Sequence, residues 1–160
     1  MRDEVRDWVA EVAVRCKPQP PVLEVGSYNV NGTIRDLLPQ DGYIGLDKKD
    51  GPGVDIVSDI LDRNNAGLHG RFNTVACVET LEHVVNPWEA MRHLHSFLAP
   101  GGLLIVAWCF NFPIHHEEDY WRATPDGLHL LIAQQGFEQI KVETEGEGPR
   151  GVFATARKAT

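Results

Sequence analysis

Long apolar runs are missing from this chain of 160 residues. No stretch of about 18 consecutive apolar residues occurs, so no membrane-crossing helix is expected. The first residues, MRDEVRDWVAEV, are charged and amphipathic, unlike a secretory leader. Cysteine is scarce: Cys16, Cys77 and Cys109 are odd in number and far apart, with no C-x-x-C and no zinc spacing. Two of the three fall in strand-like apolar runs, which reads as buried free thiols in a reducing compartment, and the expected location is the cytoplasm. Positive charge is also short. Fifteen Lys and Arg face 23 Asp and Glu, a net charge of −8, and no basic run exists. That argues against a surface for duplex nucleic acid, whose phosphates are met by Lys and Arg. Repeats, low-complexity segments and interdomain linkers are absent as well. One domain over residues 1–160 is expected, with an N-terminal helix in 1–17 and a core in 21–158.

A glycine-rich G-x-G-x-x-G is the next absence, and with it goes the fingerprint of a nicotinamide-linked oxidoreductase. What stands in its place is PVLEVGSYNVNG, residues 21–32. Val22, Leu23 and Val25 make a short buried strand with Glu24 inside it, and Gly26 permits a sharp turn at its end. Thr33, Ile34, Leu37 and Leu38 then begin a short helical pattern. Strand, turn and helix in that order present backbone N–H groups to a ligand.

The remaining elements alternate. Met1 to Cys16 reads as a helix with Val5, Trp8, Val9 and Val12 on one face, to be packed on a sheet or, alternatively, laid as a lid over a ligand. Gly42 to Leu46 is a second strand ending at Asp47, about 20 residues past the turn, where a ribose-binding carboxylate belongs; a solvated turn aspartate is the plain alternative. Val54 to Val57 is a third, near the sheet edge because Asp55 interrupts it. Leu61 to Arg71 is a loop or short helix. Phe72 to Val78 is a fourth strand closed by Glu79. Asn86 then caps a helix, with Pro87 at its first position and Glu89 three after the cap. Pro100, Gly101 and Gly102 stop it. Leu103 to Cys109 is unbroken and apolar, so it should be central. Asn111 to Arg122 is irregular. Thr124 and Pro125 begin a last helix, and Phe137 to Thr144 and Val152 to Arg157 form an antiparallel edge pair.

In order and content these pieces resemble the class I S-adenosylmethionine-dependent methyltransferases, the "type 11" group in particular, over residues 21–158. VLEVGSYNVNG is similar to the first motif of that family, YIGLD to the second and VDIVSDI to the third. FNTVACVETLEHVVNPWEAMRHLHSFLAPGGLLIV resembles its longest and most specific run, and DYWRATPDGLHLLIAQQGFE a later one. Two departures stand out: Tyr28 at the second glycine position of the first motif, and Asn73 where an aspartate is usual. The resemblance implies an α/β, Rossmann-like, mostly parallel sheet of seven strands, the last antiparallel, with helices on both faces.

It also implies S-adenosylmethionine as cofactor and S-adenosylhomocysteine as product. Gly26 and Ser27 would lie along the methionine portion, and Glu24 would serve its ammonium; a cap for a loop N–H is the other reading of Glu24. Asp47 and Lys48 would border the ribose. Asp59 and Ile60 would flank the adenine, and Val78 and Glu79 would close the site; a surface acid is the other reading of Glu79. Leu81 is pocket or core. His83, His115 and His116 are the candidate bases if the acceptor is a hydroxyl; a structural histidine is the other reading of His83, and a solvated or substrate-facing loop that of His115 and His116. No metal site is expected, since no i, i+4 histidine pair supports one. Tyr120, Trp121 and Arg122 either rim the acceptor pocket or pack structurally. ETLEH replaces the Asn/Asp-Pro-Pro-aromatic motif of nucleic-acid amino-methyltransferases. The expected reaction is methyl transfer to a small-molecule or glycan acceptor; the alternative is a non-catalytic S-adenosylmethionine-binding protein.

Overall fold

The computed structural model describes residues 1–160. Seven strands form one sheet: β1 (Val22–Val25), β2 (Ile44–Asp47), β3 (Ile56–Val57), β4 (Phe72–Val78), β5 (Leu98–Cys109), β6 (Phe137–Thr144) and β7 (Gly151–Lys158). Their spatial order is β3-β2-β1-β4-β5-β7-β6. The first five run parallel, and β7 is antiparallel to both β5 and β6. Asp55 precedes a two-residue edge strand, as its charge requires.

Three helices cover the two faces: α1 (Asp3–Cys16), α2 (Pro87–Phe97) and α3 (Pro125–Ala133). Side chains alternate across a strand, so neighbours on one strand belong to opposite layers. Val5, Val9 and Val12 of α1 meet Val22, Leu103, Ile105 and Ala107 on one face. Met91 and Leu94 of α2 and Leu128 and Ile132 of α3 meet Leu23, Leu104 and Val106 on the other. The three α1 valines are fully buried, each worth about 1.5–3 kcal/mol of transfer free energy. Asn86 Oδ1 accepts from Glu89 N at 3.1 Å and Thr124 Oγ1 from Gly127 N at 3.0 Å, so both expected caps form.

Two expectations need correction. The helix after Gly32 is a single 3₁₀ turn, Arg35–Leu37, because Pro39 and the turn at Asp41 and Gly42 leave no room to propagate it. And β5 starts at Leu98, not Leu103. Leu98 pairs with Phe72, and the strand absorbs Pro100 to Gly102 through a register shift before Thr74 pairs with Leu103. No helix is long and apolar enough to cross a membrane.

Candidate active site

The chain leaves β1 toward β2 on one side and β4 on the other. Such a reversal opens a crevice beyond the carboxyl ends of the strands. A cavity of about 630 Å³ lies there, walled by the residues after β1, β2, β3 and β4 and by the loop after β5. That volume is within the roughly 300–1,000 Å³ typical of small-molecule sites. Gly26 makes the turn at φ +81°, and its N–H donates to Leu46 O at 2.8 Å. A Cβ there would sit 2.6 Å from Thr80 Cγ2 and press on Thr80 Oγ1, so glycine is required by Thr80 packed beneath the turn. Ser27 is buried, and its Oγ has no partner within the chain while lining the cavity.

Three acids follow one another along the wall. Glu24 is buried in β1 and accepts a hydrogen bond from Tyr43 O–H at 2.7 Å. Burial pushes its carboxyl up to about 7 against that bond and the nearby Arg35. Its partner is thus a phenol, not a loop N–H. Asp47 accepts from Tyr28 N at 3.1 Å and Lys49 N at 2.9 Å, which fixes the carboxylate and leaves lone pairs toward the cavity. Asp59 is exposed and accepts from Leu61 N at 2.8 Å, with buried Ile60 beside it.

Glu79 follows β4 directly with φ +47°, a strained value for a non-glycine residue. Its carboxylate accepts from Arg2 Nε at 2.7 Å and Arg2 N at 3.2 Å, and Arg2 also pairs with Glu145. Arg2 Nη2 has no partner, and Arg2 is part of the cavity wall. The N-terminal segment therefore serves twice: α1 packs on the sheet while the two residues before it border the site.

The opposite wall is the loop of residues 110–124. Its anchors are Tyr120 N donating to Glu82 O at 2.8 Å and an ion pair from Glu118 to Lys48 that spans the mouth. Burial lowers the His83 imidazole below its usual range. His83 Nδ1 lies 2.6 Å from Glu118 O, and a carbonyl can only accept, so Nδ1 carries the hydrogen. In the neutral ring Nε2 then keeps its lone pair. His115 and His116 stand at 5.2 and 5.4 Å from the His83 ring centre, and both are exposed on the wall.

Of the sequence-predicted site residues, Glu24, Gly26, Ser27, Asp47, Lys48, Asp59, Ile60, Val78, Glu79, His83, His115, His116 and Tyr120 all line the cavity. Trp121 and Arg122 do not. Trp121 Nε1 donates to Val84 O at 3.1 Å and its ring meets Trp88 edge-on. Arg122 donates to Phe112 O, Pro113 O and Trp121 O and is paired with Asp119. Both hold the frame of the loop. Leu81 is fully buried core. Sequence reasoning missed Arg2, whose role depends on Glu79 and Glu145 far along the chain. It also missed Thr80 beneath the turn, for which a short side chain opposite a glycine is at most a faint signal.

A family model described as "Methyltransferase domain" matches residues 1–141. Over 66 residues the chain is 36% identical to a protein named ubiquinone biosynthesis O-methyltransferase from Xanthomonas euvesicatoria pv. vesicatoria (strain 85-10), covering 38% of this chain and 28% of that one. Over 38 residues it is 50% identical to the protein of the same name from Caulobacter sp. (strain K31), covering 24% and 15%. The matched stretches span less than a third of those relatives. Among solved structures, the 1,6-didemethyltoxoflavin-N1-methyltransferase of Burkholderia thailandensis superposes with a TM-score of 0.78 at 15% identity, over 99% of this chain and 79% of that one. A possible histamine N-methyltransferase from Thermotoga maritima superposes with a TM-score of 0.69 at 19% identity, over 97% and 92%. These two share the fold.

Proposed function

The chain belongs to the methyltransferase-domain family, and from that premise we propose that it binds S-adenosylmethionine in the cavity and methylates a hydroxyl of a small molecule or glycan. The bound cofactor would supply a methyl group on a positively charged sulfur, already activated toward displacement. The residues suit such a ligand. Glu24 offers a carboxylate for an ammonium. Asp47 offers two oxygens to a pair of ribose hydroxyls. The unpartnered Ser27 Oγ and Arg2 Nη2 are donors for a carboxylate. Asp59 and Ile60 suit a purine, one polar and one apolar.

The protein's part in the reaction is mainly alignment, worth up to roughly 7–11 kcal/mol of barrier when two reactants are held in line. A hydroxyl also needs a base. The His83 Nδ1–H is tied to Glu118 O and burial disfavours the charged ring, which leaves Nε2 as acceptor; this one observation carries the oxygen assignment. His83 Nε2 would take the hydroxyl proton as the oxygen–carbon bond forms, while the carbon–sulfur electron pair stays with sulfur and S-adenosylhomocysteine leaves. His116 lies close enough to accept the proton next, on the way to solvent. The oxygen acceptor agrees with the names of the two partial relatives. The cytoplasmic location and the single catalytic domain over 21–158 are part of the same proposal.

The test is incubation with methyl-labelled cofactor and fractionated cell extract, followed by identification of the labelled atom. Label on an oxygen, lost about 10²–10⁴-fold in His83→Ala with S-adenosylhomocysteine affinity unchanged, supports the reading. Label on nitrogen or carbon overturns the oxygen assignment. Cofactor binding with no label in any fraction turns the protein into a cofactor-binding module.

A further inference from the structure

Behind the acceptor-side wall, three side chains from separate elements converge. Glu82 comes from the 3₁₀ turn after β4, Cys109 from the last residue of β5, and His115 from the loop that follows. One donor atom from each lies within 4.8 Å of the others. Glu82 is fully buried. Its Oε1 accepts from the Cys109 thiol at 3.2 Å, and its Oε2 has no partner at all. A buried carboxyl oxygen without a donor is costly and calls for an explanation. Nothing in the methyl-transfer chemistry uses Glu82 or Cys109, and neither lines the cavity.

We propose that Glu82, Cys109 and His115 form a binding site for a thiophilic divalent cation of the zinc class. Thiolate, imidazole and carboxylate are the donor types of zinc, and the sulfur excludes the hard cations magnesium and calcium. Zinc bonds of about 2.0–2.3 Å place ligand atoms roughly 3.3–3.8 Å apart, so the cluster must contract by about 1 Å. His115 is the member free to move, being exposed on the loop. The Asp119 carboxylate lies 3.0 Å from His115 Nδ1 and is itself held by Arg122, the kind of outer contact that orients a metal-bound histidine. Three protein ligands leave a fourth position for water. The cation would join the β4 turn, the end of β5 and the acceptor-side loop, and so fix the wall that carries His83 and His115. Sequence spacing hid this site, because its ligands stand 27 and 6 residues apart.

The test uses cobalt(II) as a spectroscopic probe, added to the chelator-treated chain of 160 residues. A thiolate-to-cobalt band that saturates at about one equivalent and is removed by zinc is expected. Cys109→Ser should abolish the band. His115→Ala, a change on an exposed loop that spares the fold, should weaken cobalt binding at least about 10-fold. Cys16→Ser should leave the band intact. No band in the unaltered chain, a band that survives Cys109→Ser, an unchanged affinity in His115→Ala, or loss of the band in Cys16→Ser each overturns the site. None of these readouts needs methyl transfer, so the result stands apart from the proposed activity.

Discussion

Replacing Glu24 by Gln should make the protein more stable and worse at binding its cofactor. Glu24 is buried, and its carboxyl titrates near 7 against an ordinary 4.5. The folded form therefore holds the proton more tightly than the unfolded chain. The stability due to Glu24 is complete below about pH 4.5 and is lost as the pH rises through about 7. At about 1.4 kcal/mol per pH unit, keeping the charged group buried at pH 8 costs about 3 kcal/mol. Gln removes that cost and still accepts from Tyr43 O–H, so the melting temperature at pH 8 should rise by about 5–10 °C, with little change at pH 4.5. Cofactor binding should move the other way. A charged hydrogen bond to the methionine ammonium is worth about 1.5–3 kcal/mol, so Glu24→Gln should weaken S-adenosylmethionine at pH 8 by about 10–100-fold. In the unaltered protein affinity should drop about tenfold per pH unit below about 7, and the variant should show no such slope. 5′-Methylthioadenosine, which lacks the amino-acid portion, should bind both proteins alike. Calorimetry at four pH values and paired melting curves suffice. Equal S-adenosylmethionine affinity at pH 8 refutes the ammonium contact, and an unchanged melting temperature at pH 8 refutes the buried charge.

Four other outcomes are expected. Gly26→Ala should lower the melting temperature sharply, since a left-handed φ costs about 1–2 kcal/mol before the overlap with Thr80 is added; a Thr80→Gly companion change should recover part of the loss. Asp47→Ala should weaken S-adenosylhomocysteine by about 10–100-fold in calorimetry, with only a small drop in melting temperature from the two backbone donors it leaves free. Arg122→Ala should destabilise the chain by about 1.5–3 kcal/mol in denaturant titration, because Asp119 and three carbonyls lose their donor, while Trp121→Ala should leave cofactor affinity near normal.

Most of the sheet could be read from the residues because each strand is a short apolar run closed by a turn signal. Leu103 to Cys109 and Val22 to Val25 are buried on both faces and look it. The N-caps at Asn86 and Thr124 are local chemistry, so they too were visible. The 3₁₀ turn at Arg35–Leu37 was not, since four apolar residues at helical spacing say nothing of how soon the chain must turn back. The acids at strand ends were legible because topology places such positions in the crevice. Arg2, Thr80 and Glu82 were not, because each owes its role to residues distant in sequence. Tyr120, Trp121 and Arg122 are adjacent, yet only the first reaches the cavity. A loop's direction decides that, and composition does not encode it.

The position of β7 has a consequence for biosynthesis. Gly151–Lys158 is synthesised last of the strands but lies between β5 and β6, with the stretch from Gly151 to Ala156 buried. Until those residues clear the ribosome, the far side of β5 is an open edge of nearly continuous apolar sequence. At about 5–20 residues per second, the roughly 50 residues from Cys109 to Lys158 take several seconds to appear. The nascent sheet is a ready target for chaperones or for mispairing through that interval. A ribosome stalled with Lys158 still in the exit tunnel should hold a chain that proteases cut readily. One stalled beyond an appended linker long enough to carry Lys158 out of the tunnel should hold a chain that resists them.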